Sequence, residues 1–86
     1  MSEEKLKPIA PTRIAKELRQ LSEGRKSGKY APDEYEHRFS RMISELRDRR
    51  ISGTRSEILA ALTPLKEDGT VPDADWARLV RQLGLA

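Results

Sequence analysis

The chain of 86 residues contains no cysteine, one histidine, one tryptophan and one phenylalanine. Without cysteine there is no disulfide or thiolate metal site to reinforce a small fold, and a cytoplasmic setting is the expectation. His37 has no second imidazole to join it in a metal site, and no serine sits in the strained, glycine-flanked turn that marks a nucleophile. The sequence therefore offers no catalytic residue, no metal ligand, no cofactor site and no small-molecule substrate site, and the protein is not expected to be an enzyme. No apolar run approaches the roughly 18 residues that cross a bilayer, and nothing near Met1 resembles a secretory leader. No membrane partner is expected.

What the chain does have is helix formers. Leu, Arg, Glu, Ala and Lys dominate, and strand formers are sparse, so the expected class is all-α. Charged residues make up 36% of the chain, but the net charge is only +3 and the apolar residues are well phased, which favours folding over disorder. A core of this size seldom supplies more than about 3–5 kcal/mol.

One phrase occurs twice. Residues 28–35 read Gly-Lys-Tyr-Ala-Pro-Asp-Glu-Tyr, and residues 69–76 read Gly-Thr-Val-Pro-Asp-Ala-Asp-Trp. Each phrase follows a leucine-bearing segment and opens an amphipathic one, which is the pattern of two helix-turn-helix hairpins in series. The first helix should open at Pro11-Thr12, because proline suits a first helical position. Ile14, Leu18 and Leu21 then form one stripe at i, i+4, i+7. The second should open at Pro32-Asp33-Glu34 and carry Tyr35, Phe39, Met42, Ile43 and Leu46 to about Arg50. Thr54-Arg55-Ser56-Glu57 reads as a capping box ahead of Ile58, Leu59, Leu62 and Leu65. Pro64 should end or kink this third helix. The fourth should open at Pro72-Asp73, carry Trp76, Leu79, Val80 and Leu83, and stop at Gly84.

The expected organisation is thus a flexible basic arm over residues 1–10, with Leu6 and Ile9 tacking onto the body, and a single helical domain over 11–86. That domain is a small four-helix unit of two consecutive antiparallel hairpins, 11–50 and 54–84. Trp76, Phe39, Tyr35 and the leucines should supply the shared core.

Two rival chemistries can be tested on spacing. Placing Gly69 sixth in a twelve-residue calcium loop sets Pro64 first and Lys66 third, where oxygen ligands belong. The loop fails, and Gly69 is a turn residue. A major-groove reader built from residues 54–65 and 72–83 would need a shorter turn than Lys66–Val71. Its last helix would offer only Arg78 and Arg81 behind two aspartates.

The basic residues remain. Residues 1–31 carry eight Lys/Arg against four Asp/Glu, so the whole positive excess lies ahead of Pro32. One cluster is Arg25-Lys26-Ser27-Gly28-Lys29. Antiparallel packing of the first two helices should gather a second at one end of the molecule: Lys5, Lys7, Arg13 and Lys16 from the arm and first helix, with Arg47, Arg49, Arg50 and Arg55. Such a surface suits phosphates or an acidic protein, though cations near helix C-termini also satisfy the helix dipole.

Residues 14–46, with Leu18, Leu21, Gly28, Tyr30, Pro32-Asp33-Glu34-Tyr35, Phe39 and Ile43, resemble the short helical hairpin called the SHOCT, or short C-terminal, module. Residues 58–83 echo it more loosely. The resemblance implies a protein-interaction or oligomerisation element with no catalytic residues. The sequence expectation is therefore a non-catalytic interaction module that binds a protein partner or itself, with Met42 and Leu59 as candidates for the shared face. The alternative is a nucleic-acid-binding accessory protein that uses the basic end.

Overall fold

A computed structural model describes residues 7–85. It contains four helices: α1 over Pro11–Lys26, α2 over Pro32–Arg49, α3 over Arg55–Glu67 and α4 over Asp73–Gln82. The all-α expectation holds, and no helix among the described residues is long and apolar enough to cross a membrane.

The helix boundaries follow local chemistry. α1 and α2 open on Pro11 and Pro32 behind Ala10 and Ala31, with no side-chain cap, since a proline leaves one fewer orphan N–H to satisfy. α3 opens on the full capping box. The Glu57 N–H donates to Thr54 Oγ1 at 3.1 Å, and the Thr54 N–H donates to Glu57 Oε1 at 2.8 Å. α3 also runs through Pro64 to Glu67 rather than ending there. The carbonyl that Pro64 leaves without an N–H partner belongs to exposed Ala60, where water can reach it. Beyond the proline, the helix is held by the Asp68 N–H on the Pro64 carbonyl and by burial of Leu65.

The repeated phrase builds the same turn twice. Gly28 and Gly69 adopt φ of 84° and 82°, conformations that glycine enters without penalty. The N–H of each glycine donates to the carbonyl three residues back, on Arg25 and on Lys66. Two residues on, the Tyr30 N–H reaches the Gly24 carbonyl and the Val71 N–H reaches the Leu65 carbonyl, both at 3.0 Å. α4 ends more tightly. Gly84 and Leu85 donate to the carbonyls of Arg81 and Val80, and Leu85 is buried, which completes a Schellman motif with its apolar contact.

α1 packs on both α2 and α3, and α4 packs on α2. The second hairpin therefore lies across the first, each of its helices on one helix of the other. α3 and α4, consecutive in sequence, are not among the principal contacts. The molecule measures 41 × 29 × 19 Å, and its shortest dimension is that of two helix layers.

The core between the layers is Ile9, Ile14 and Leu18 with Tyr35, Phe39, Met42, Ile43 and Leu46, closed by Ile58, Leu62, Leu65, Val71, Leu79 and Leu85. Phe39, Leu62 and Leu79 have no exposed surface. Two sequence expectations change here. Trp76 is only half-buried, packed against the core rather than within it, and Met42 is a core residue, not part of a shared outer face.

Of the expected arm, Leu6 lies outside the described residues. Ile9 is buried and forms a parallel bridge to Ile51, with its N–H on the Arg50 carbonyl and its carbonyl accepting from the Ser52 N–H, each at 3.0 Å.

Candidate docking surface

The end of the molecule where α2 stops, α3 begins and α4 finishes is built around an unusual residue. Arg50 follows the last turn of α2 with φ 70° and ψ 163°, a region that is essentially glycine's. Its N–H still donates to the Leu46 carbonyl, and its own carbonyl is taken by Ile9. The chain is thus turned out of the helix and pinned at once. Among the described residues its guanidinium makes no hydrogen bond or ion pair.

Arg50 lies on the rim of an open depression of about 310 Å³. Leu46, Ile51, Ile58, Leu83 and Leu85 supply the apolar lining, with Arg47, Arg50 and Gln82 as its polar members. Arg47 Nη1 donates to Gln82 Oε1 at 3.3 Å, which draws one guanidinium toward α4. Leu83 also belongs to a second feature. It follows Trp76 and Val80 at i, i+4, i+7, and all three are half-buried on one face of α4. An apolar stripe on α4 therefore runs into a depression edged by two arginines.

The remaining basic residues divide. Arg49 is only 19% exposed; its Nη1 pairs with Glu45 at 3.3 Å and its Nε donates to the Lys7 carbonyl at 3.2 Å, so it fastens the arm to α2. Lys7 itself is exposed beside it. Arg13 pairs with Glu17 at 3.4 Å. Lys16 lies apart, on the outer face of α1 among Thr12, Ala15, Arg19 and Gln20. Arg55 is exposed at the first turn of α3. Lys5 lies outside the described residues. Packing brings Arg47 and Arg50 to one depression and Arg49 to Lys7, while Glu17 and Glu45 occupy Arg13 and Arg49.

Other cations are spent on aromatic rings. The Arg25 guanidinium sits 4.5 Å from the Tyr35 ring centroid, Arg38 sits 4.4 Å from Tyr30, and Arg78 sits 4.6 Å from Phe39. Arg78 also pairs with Glu36, and that contact holds the Glu36 carboxyl below its usual range. The Tyr35 hydroxyl donates to Asp75 Oδ2 at 2.9 Å. Burial first, and then this bond, pushes its pKa up to about 12. The contacts of Arg78 and Asp75 clamp α4 to α2. They remove Arg78 from any groove-reading role.

His37 is exposed on α2, and the described residues hold no group of three or more metal-ligating side chains. Asp68, the acid of the rejected calcium loop, accepts from the Thr70 N–H at 2.9 Å and from Arg19 Nη1 at 3.2 Å; its carboxyl lies below the usual range, with the bonds from Thr70 as the main cause.

Leu46, Ile51, Ile58 and Leu85 have no place in a sequence-based site, because nothing in their spacing says that three chain segments meet there. The one available signal is Leu85, since an apolar residue just past a C-terminal glycine habitually folds back on its helix. No family model, curated protein or solved structure matches the chain.

Proposed function

We propose that the protein is a non-catalytic docking module whose working surface is the end formed by α2, α3 and α4. The observation that carries this reading is the continuity between the half-buried α4 stripe and the arginine-edged depression. Apolar surface that a small domain leaves partly uncovered, rimmed by polar groups, is characteristic of an interaction site. The backbone outlier falls at the same place, and strain of this kind is concentrated at sites that bind. The likeness of residues 14–46 to the SHOCT hairpin points to the same class of function.

The partner is either another protein or a second copy of this chain. Trp76 is the sole tryptophan and lies on the stripe, so its emission reports coverage of that surface. Size-exclusion chromatography with light scattering, across a concentration series, separates the two cases. A dimer whose Trp76 emission shifts to the blue with association places a second copy on the stripe. A monomer throughout, with invariant emission, leaves another protein as the partner. If Val80→Asp left stability unchanged and also left every association measured for the wild type unchanged, the stripe would not be a docking surface.

A nucleic-acid reading also has a specific observation behind it, the convergence of Arg47 and Arg50. It requires salt-sensitive retention that the double charge reversal Arg47→Glu, Arg50→Glu abolishes. Retention unchanged by that variant would remove it.

A further inference from the structure

We infer that the depression between α2, α3 and α4 takes an acidic, amphipathic peptide segment of a partner protein. The segment would set carboxylates against Arg47 and Arg50 and apolar side chains along Leu83, Val80 and Trp76. This deepens the docking reading and rests on it.

The choice of occupant comes from charge and shape. Among the described residues, the only charged ones lining the depression are two arginines. Arg50 has no internal partner among the described residues, and Arg47 is held only by a neutral amide. This is unlike the neighbouring arginines at this end: Arg49 and Arg13 are each paired with a carboxylate. A carboxylate arriving at Arg50 therefore displaces no ion pair among the described residues.

The lining behind the arginines selects against a purely polar ligand. Five of its eight residues are Leu or Ile, and the space of about 310 Å³ is at the low end of the range for ligand pockets. That is room for the side chains of a peptide but not for a large cofactor. A duplex would meet the arginines with phosphate and leave the apolar lining and the stripe uncovered. An amphipathic segment covers both, in the manner of helices that lay one face in a groove.

The test uses the full chain, labelled with nitrogen-15, and short synthetic peptides. The first peptide carries two glutamates followed by leucines at helical spacing. The second replaces the glutamates with glutamine, and the third replaces the leucines with serine. A short DNA duplex is the fourth probe. The expected result is that only the first peptide shifts the amides of Leu46, Arg50, Ile58, Leu83 and Leu85 together and moves Trp76 emission to the blue. Arg47→Gln and Arg50→Gln should each weaken that binding roughly fivefold, the scale of an exposed ion pair. The peptide series leaves the protein unaltered, so an unstable variant does not undo the test.

Equal binding of the first and third peptides would overturn the proposal, because the apolar lining would then contribute nothing. Matching shifts from the duplex alone would overturn it in favour of nucleic acid. If no probe bound while light scattering reported a dimer, the acidic partner would be ruled out and the docking reading would survive as self-association.

Discussion

Two residues carry conformations that their neighbours dictate. Gly24 lies inside α1, where alanine would ordinarily gain about 1 kcal/mol of helix propensity. Here a β-carbon would fall 2.3 Å from Cε2 of Tyr30, whose N–H is bonded to the Gly24 carbonyl. Overpacking outweighs propensity, and Gly24→Ala should lower stability by about 1–2 kcal/mol, read from chemical denaturation. An unchanged midpoint would mean that the ring swings aside freely. Arg50 presents the opposite case. Its φ of 70° costs a non-glycine residue about 1–3 kcal/mol, and glycine returns part of this through greater freedom of the unfolded chain. Arg50→Gly should therefore raise the melting temperature, with a net gain of about 1 kcal/mol, while weakening any acidic ligand. A variant that is both more stable and poorer at binding would identify Arg50 as a position held for function at the expense of stability. A lower melting temperature would show that the side chain itself supports the turn.

At the scale of helices, the caps and clamps are separable. Loss of the Thr54 hydroxyl leaves the Glu57 N–H without its acceptor, and Thr54→Ala should cost about 1 kcal/mol by thermal denaturation. Unchanged stability would place the start of α3 elsewhere. The α2–α4 clamp responds to pH. The Tyr35 phenol is an acid whose folded pKa of about 12 lies above its ordinary value of 10.0. The unfolded chain therefore sheds this proton first, so stability is full below pH 10 and declines as pH rises from 10 to 12. Tyr35→Phe should flatten that part of the pH–stability profile, and an unaltered slope would assign the alkaline loss to other groups.

The helices themselves were legible because their signals are local: prolines at first positions, the Thr54–Glu57 box, glycines at the ends and apolar residues at i, i+4, i+7. Pro64 misleads as a stop because its effect depends on where Ala60 faces, which is a tertiary fact. The basic end was legible only as composition. The sequence does not say that Glu45 would occupy Arg49, that Arg25, Arg38 and Arg78 would settle on aromatic rings, or that an arginine would adopt a glycine conformation.

In the whole molecule, each helix of the second hairpin rests on one helix of the first, and the principal contacts leave α3 and α4 apart from one another. The largest aromatic, Trp76, lies half-exposed on α4, while the smaller Phe39 fills the centre. Long-range ties hold the arrangement together: Arg19 to Asp68, Tyr35 to Asp75, Arg78 to Glu36, and Ile9 to Ile51.

The last of these ties has a consequence for how the protein opens. The amides of Ile9 and Ser52 are bonded across 41 and 43 residues of chain rather than within a helix. Neither bond can break by fraying of a single element, because Ile9 is sealed into the core and Ser52 follows the turn set by Arg50. These two amides should exchange with solvent deuterium as slowly as those at the centre of α2, by global unfolding alone. The segment ahead of the first helix is thereby the fastening that makes one cooperative unit of two hairpins.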